Sequence, residues 1–244
     1  MYFNSIAFGI FLPVVWVLYW FVLNRSLKAQ NVLLLVASYV FYGWWDWRFL
    51  SLIGASSLLD YFVAIRMDLA RTASGRKRLL AISLVGNLGM LGLFKYYDFF
   101  ALSLVDAFAS AGVHLEPRTL GWVLPVGISF YTFQTLSYSI DVFRRQLAPS
   151  RDPIAFLAYV SFFPQLVAGP IERAIALLPQ FSVPRRFDPA KAADGMRQIL
   201  WGFFKKAVIA DACALIVDQL FDPAGTAGAS SMLWGIFLFA FQIY

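Results

Sequence analysis

Two stretches hold the residue types from which a site inside a membrane would be built. In VSFFPQLVAGPIERAIALLPQF, residues 160–181, Pro164 and Pro170 bracket a segment that cannot stay in one continuous helix. Each proline removes a backbone donor and clashes with the preceding turn. The N–H and C=O groups freed by the break need partners, and Gln165, Glu172 and Arg173 stand beside them. Irregular backbone persists at membrane depth only when packed within protein or lining a cavity. Pro164, Gln165, Gly169, Pro170 and Arg173 therefore read as a substrate entrance; the alternative is a surface-lying helix with Ile171, Ile175 and Leu178 toward lipid. Arg173 offers a fixed fork of donors to a phosphate or carboxylate, and Arg185 and Arg186 add positive potential for an anionic donor. A bond from Arg173 to a nearby carboxylate, or to carbonyls freed by Pro170, is the structural alternative. The second stretch is ISFYTFQTLSYSI, where Tyr131, Gln134 and Tyr138 fall at i, i+3 and i+7 on one helix face. Ser129, Thr132, Thr135, Ser137 and Ser139 make the same helix rich in hydroxyls. Such a face lines a polar cavity or bonds neighbouring helices.

The remaining reactive side chains make no recognisable constellation. His114, the single histidine, sits in the loop AGVHLEPRTL without a serine, cysteine or second ligand in register and reads as a solvated loop residue. The single cysteine, Cys213, has no internal disulfide partner. No CxxC, HExxH, GxxxxGK[ST] or GxSxG occurs, so no metal site is expected. Asp211 and Asp218 share a helix face, lining an outward funnel or pairing with Lys205 or Lys206. Lys95 and Asp98, spaced i, i+3, read as a neutralised pair. The basic run GRKR at residues 75–78 lies next to a span, where it orients the chain and attracts anionic lipid; no nucleic-acid partner is expected.

The elements that position these residues follow from composition. The 244-residue chain is 60% hydrophobic and 14% charged, with a mean hydropathy of +0.68. Ordinary soluble domains carry about a quarter charged residues, so the expected class is an all-α polytopic membrane protein. A helix needs about 20 apolar residues to cross the hydrocarbon core. Residues 5–23 qualify, without the basic region and small-residue cleavage site of a signal peptide. Further spans are read at 31–45, 49–65, 79–112, 120–140 and 199–221, with an incomplete one at 232–244 and a re-entrant element at 153–168. Trp44, Trp45 and Trp47 look interfacial. Asp152 before Pro153 and Asp188 before Pro189 are helix starts, each an N-cap followed by proline at the first helical position.

Loops at 24–30, 66–78, 141–153 and 169–198 hold fifteen of the twenty Lys and Arg residues. The positive-inside rule places them in the cytoplasm and the N-terminus outside. Residues 79–112 then cross once, 153–168 enter and leave on one side, and 169–198 form a cytoplasmic segment. The final apolar run stops after thirteen residues, about 20 Å as helix, so the chain reads as a fragment, with a short terminal hairpin as the alternative.

The blocks MYFNSIAFGIFLPVVWVLYW, NVLLLVASYVFYGWWDWRFL, FKYYDFF, LPVGISFYTFQTLSYSIDVFR and YVSFFPQLVAGPIERAIALLPQF occur in fixed order. Together they resemble the N-terminal half of membrane-bound O-acyltransferases (MBOAT) of the alginate O-acetyltransferase type. The resemblance implies a ring of tilted transmembrane helices around a thin centre, with an outer funnel and an inner crevice meeting at a catalytic histidine. It also implies acetyl transfer from a cytoplasmic acyl thioester, acetyl-CoA or another, to an exported polysaccharide, alginate or a relative, with no bound cofactor. The partners it implies are membrane lipid and the polymer or periplasmic acetylation proteins, and the location is the bacterial inner membrane. The family's histidine belongs to a later Trp/Arg-rich block absent here, and His114 does not match it, so no catalytic residue is carried over and the chain alone is expected to be inactive. D-alanyl or peptidoglycan acyl transfer is the alternative within the enzyme class. A polysaccharide or lipid transporter, or a scaffold of an export complex, are the alternatives outside it.

The topology has a direct check. With Cys213 replaced, single cysteines placed within 66–78 or 169–198 are expected to resist an impermeant thiol reagent applied to intact cells and to react once the membrane is opened. Labelling of either loop from outside would refute the arrangement.

Overall fold

The computed structural model describes residues 1, 3–110, 112–113, 116, 119–166, 169–222 and 228–243. Every regular element among the described residues is helical. The chain divides into two units, Met1–Arg185 and Arg186–Tyr244. In the first, α1 (Ile6–Val17) continues through a π-helical turn, Leu18–Val22. Helices α2 (Leu27–Asp46) and α3 (Leu50–Leu69) are joined by a single 3-10 turn, Trp47–Phe49. Helices α4 (Ala73–Leu91) and α5 (Tyr97–Ser110) form one 38-residue rod through a π-helical turn at Gly92–Tyr96. Then come α6 (Ile128–Phe143), α7 (Pro153–Val160), α8 (Phe163–Leu166) and α9 (Ala174–Leu177). The second unit holds α10 (Pro189–Phe204), a π-helical turn at Lys205–Ala210, α11 (Asp211–Leu220) and α12 (Ala229–Ile243).

Side chains that accept from the first free N–H groups mark where the helices begin. Ser5, Ser26 and Thr72 cap α1, α2 and α4, each accepting from the N–H three residues on. Both Asp-Pro starts are formed: Asp152 Oδ1 accepts from Ile154 and Ala155, and Asp188 Oδ1 from Ala190 and Lys191. The second of these starts a helix ten residues before the span read at 199–221. The span read at 120–140 differs at its other end. Residues 120–127 are not helical, and α6 starts only at Ile128, because Pro125 lacks a donor and Gly127 has φ +77°. The pairing of Lys95 with Asp98 is also corrected. The π-helical turn at Gly92–Tyr96 shifts their register. Lys95 donates to Ser129 Oγ at 3.2 Å, and Asp98 accepts from the N–H groups of Leu120 and Gly121 at 2.7 and 3.0 Å.

The first unit is apolar outside and carries many polar side chains among the apolar ones of its interior. Ile6, Trp47, Val85 and Phe99 are exposed while Asn31, Ser56, Asp60, Ser83, Asn87 and Thr135 are buried beside Ile53, Met67 and Phe156. Large exposed apolar surface around buried, mutually bonded polar groups suits lipid, not water. The centre lies where α3 packs on α4 and α6. Asp60, fully buried on α3, accepts from Ser83 Oγ, from Ser139 Oγ at 2.9 Å and from Asn87 Nδ2 at 2.7 Å. Ser56 Oγ donates to Asn87 Oδ1 at 2.6 Å and extends the knot. No cation joins this carboxylate among the described residues; neutral donors from α4 and α6 hold it. A second, aromatic cluster ties α1 to α2 and α8 through Phe8, Phe11, Phe41 and Phe163.

The C-terminal end of α6 satisfies each of its last four carbonyls. Ile140 O accepts from Arg144 N–H, Asp141 O from Gln146 N–H and Val142 O from Arg145 N–H, a six-to-one and five-to-two closure of the Schellman type. Arg76 of α4 takes Val142 O and Phe143 O, and bonds Met67 O at the end of α3 as well. Such a closure needs a left-handed residue, ordinarily glycine, yet Arg145 fills it at φ 60°. For an L-residue that conformation costs about 1–2 kcal/mol.

Deleting the Asp60 carboxylate strands three buried donors. Asp60→Ala is expected to lower stability by about 2–5 kcal/mol. In Asp60→Asn the serine hydroxyls can rotate to accept from the new amide, so stability should stay near that of the parent. Thermal melting of the detergent-purified variants checks both.

Candidate functional site

The broken segment sits between α2 and α6, and each interruption of its backbone finds a partner there. Helix α7 ends at Ser161, whose N–H and Oγ both return to Leu157 O at 3.0 and 2.8 Å. The next free donor, Phe163 N–H, goes to Ser38 Oγ of α2 at 3.1 Å. Pro164 follows in the first turn of α8, where a missing N–H leaves no bond unmade. Gln134 of α6 donates its amide to Tyr159 O at 3.0 Å, taking a carbonyl from the last turn of α7. Gly169 folds back so tightly that a Cβ there would meet Gln165 Cα at 2.5 Å. Beyond it, Phe181 O accepts from Asn31 Nδ2 at 2.8 Å. Asn31 and Ser38, both buried and seven residues apart, lie on the same face of α2. Gly127 makes a second such contact, with a main-chain oxygen: a Cβ on this residue would lie 2.8 Å from Leu166 O.

Of the cavity candidates, Gln134 binds the broken segment, Tyr138 accepts from Ser150 N–H at 3.0 Å, and the fully buried Tyr131 hydroxyl has no partner among the described residues. Thr132 Oγ1, Asp141 Oδ2 and Gln165 Nε2 are likewise buried without a partner. All four belong to α6 or to the broken segment. Native proteins leave few such atoms unpaired, and four of them gather along one seam, with Tyr159 Oη beside them and Gln242 Oε1 in the second unit.

Of the entrance candidates, Pro164, Gln165 and Gly169 shape the break. Pro170 follows in an extended stretch that ends at Arg173, the residue before α9. Arg173 donates to Asp141 Oδ1 at 3.0 Å; its side chain is 62% exposed and that of Asp141 2%. The guanidinium thus straps the segment to the end of α6 while most of it faces outward. Arg185 is structural: it binds Tyr19 Oη, Asn31 Oδ1 and Gln180 O at 2.7–2.9 Å and lies over the Tyr19 and Phe181 rings. In the second unit, Asp211 is paired with Lys206. His114 and residues 167–168 lie outside the described residues. No group of three His, Cys, Asp or Glu side chains suited to a metal is found among the described residues.

At the opposite end of α6 from Arg173, a cavity of about 280 Å³ is lined by Met1, Phe41, Tyr42, Trp44, Trp45 and Val126. Tyr42 Oη donates to Val126 O at 2.8 Å and forms part of its wall. The sixteen residues of α6 span about 24 Å between these two ends, which is most of a hydrocarbon core. The residues not anticipated from sequence are Ser38, Asn31, Gly127, Asp60 and Asp141. Asp141 carried a signal, since it continues the Tyr131, Gln134, Tyr138 face by three residues.

The chain is 38% identical over 248 aligned residues to the probable alginate O-acetylase of Azotobacter vinelandii and likewise to that of Pseudomonas aeruginosa. All of the chain is covered, with 48% and 46% of the two relatives. A peptidoglycan O-acetyltransferase of Helicobacter pylori is 32% identical, with 96% of the chain and 49% of that protein covered. The chain thus spans about half the length of the curated relatives it matches. No family model matches, and no solved structure does.

Gly127→Ala is expected to destabilise by more than about 2 kcal/mol, because it combines the left-handed backbone with a clash against a main-chain oxygen. A parent-like melting temperature for this variant would show that α6 and the broken segment are not locked at this point.

Proposed function

We propose, from the premise that this chain belongs to the family of the alginate O-acetylases, that it forms part of a membrane enzyme passing acetyl groups to a polysaccharide outside the cell. The observation that carries this reading is the seam along α6. It holds unpaired polar atoms at membrane depth, with an aromatic cavity at one end and the exposed guanidinium of Arg173 at the other. A path along α6 reached from both ends would suit a reaction whose acyl thioester is made inside and whose hydroxyl acceptor lies outside. The multi-pass chain would lie in the bacterial inner membrane with its N-terminus outside, and its partners would be lipid, the polymer and periplasmic acetylation proteins.

The chemistry is transfer of an acetyl group from sulfur to oxygen. The acceptor hydroxyl gives its proton to a base as its oxygen attacks the thioester carbonyl; the carbon–sulfur bond breaks and the thiolate takes up the proton. An imidazole suits that base near neutral pH. No described residue in the seam supplies one; the base would come from a part of the enzyme corresponding to the half of the relatives' length that this chain does not match. This chain would contribute wall and entrance: Gln165 and the unpaired α6 groups beside the path, and Pro164, Gly169 and Pro170 shaping an opening at Arg173. Acetyl-CoA or another acyl thioester would be the donor. The peptidoglycan relative supports a second acceptor, peptidoglycan, on the same machinery.

Labelled acetyl-CoA supplied to membranes containing the full-length gene product, with alginate and peptidoglycan as acceptors, tests the reading. Label is expected on polymer, unchanged by His114→Ala and absent from the 244-residue chain alone. Arg173→Ala should raise the donor KM several-fold and lower the melting temperature, since the buried Asp141 carboxylate loses the cation that pairs with it. Turnover by the short chain that His114→Ala abolishes would overturn the assignment. An Arg173→Ala variant unchanged in both KM and melting temperature would remove that residue from the entrance.

A further inference from the structure

A separate cavity of about 400 Å³ opens between the C-terminal ends of α3 and α6. Its wall includes Asp68, Arg76, Arg145, Gln146, Leu147 and Ala148. Asp68 is the acidic member, and its charge is already matched: Arg151 donates to Asp68 Oδ2 at 2.7 Å. Arg76 is nearly buried and has no carboxylate partner among the described residues. Its guanidinium bonds three main-chain carbonyls at 2.8–3.1 Å, the ends of α3 and α6, whose partial negative charge offsets part of its own and leaves a net positive charge beneath the cavity. Arg145 is exposed, and its side chain makes no hydrogen bond or ion pair among the described residues.

The backbone makes this arginine informative. Arg145 occupies the left-handed position of the closure at the end of α6. Glycine satisfies the same two hydrogen bonds without strain. A side chain kept where the backbone disfavours it points to work done by that side chain. One free guanidinium at the rim, a second fixed charge below and no uncompensated carboxylate make a receptor for an anion. The planar fork of donors matches the oxygens of phosphate.

We propose that the cavity between the ends of α3 and α6 binds a phosphate group, held by Arg145 above the fixed charge of Arg76. The phosphate belongs either to an anionic lipid headgroup or to a soluble phosphate-bearing compound such as a nucleotide-linked acyl thioester. Only the second source rests on the proposed function, and a binding measurement separates the two questions.

The probe is inorganic pyrophosphate, titrated into the purified full-length gene product in a neutral detergent and followed by thermal melting and calorimetry. The parent is expected to bind saturably and to melt at higher temperature with the probe. Arg145→Gly should fold in normal yield, melt about 2–4 °C above the parent without probe because the strain is gone, and bind pyrophosphate at least tenfold more weakly. Parent-like affinity in a well-folded Arg145→Gly, or absence of saturable binding to the parent, would overturn the proposal. Competition separates the sources. Detergent-dispersed phosphatidylglycerol displaces pyrophosphate if the site takes a lipid headgroup, and coenzyme A displaces it if the site takes a soluble donor. Either displacement must vanish in Arg145→Gly, and displacement that survives the substitution would place the phosphate elsewhere. Polymer acetylation can fail without touching any of these readings.

Discussion

Hydrocarbon offers nothing to a backbone N–H or C=O, and the arrangement around the broken segment follows from that single constraint. A chain broken into the short helices α7, α8 and α9 exposes donors and acceptors that lipid cannot take. Ser38 answers at Phe163, Gln134 at Tyr159 and Asn31 at Phe181. Each answering residue is buried on a helix otherwise rich in apolar side chains. The polar residues of α2 and α6 are therefore the counterpart of the prolines in the segment. The break also has to be pressed close to its supports, and Gly127 against Leu166 and Gly169 against Gln165 are where the missing Cβ allows it.

The knot at Asp60 serves a different need. Apolar helices gain little from one another in lipid, because the lipid is as apolar as they are. Hydrogen bonds from α4 and α6 to one carboxylate on α3 fix how these three helices meet. That fixes α6, and with it the face that carries Gln134, Tyr138 and Asp141. Arg76 repeats the device at the helix ends, binding the final carbonyls of α3 and α6 from α4.

What could be read from the sequence was what depends on a residue and its near neighbours. Prolines at 164 and 170 announce the break, an aspartate before a proline announces a helix start, and period 3.6 puts Tyr131, Gln134 and Tyr138 on one face. Hydropathy was a poorer guide. The apolar run before Gly127 has the composition of a helix, but Pro125 and the left-handed glycine keep it out of one. The expected pairing of Lys95 with Asp98 assumed regular α geometry, which the π-helical turn breaks. Asp60 and Ser38 carry no local signature at all, since their partners come from other helices. Arg185 looked like a cation for a substrate because the sequence does not reveal that Tyr19 and Asn31 already occupy its fork.

The supports for the broken segment are made long before the segment itself. Ser38 and Phe163 are 125 residues apart, and Asn31 and Phe181 are 150 apart. At ordinary translation rates that separation is roughly six to thirty seconds. For that interval α2 rests in or beside the bilayer with a buried-type amide and hydroxyl that have met no final partner. The amide of Asn31 and the hydroxyl of Ser38 cannot take these bonds before Phe163 and Phe181 have left the ribosome. Assembly of this protein is thus paced by synthesis: the helix that enters among the first is among the last to reach its final hydrogen bonds.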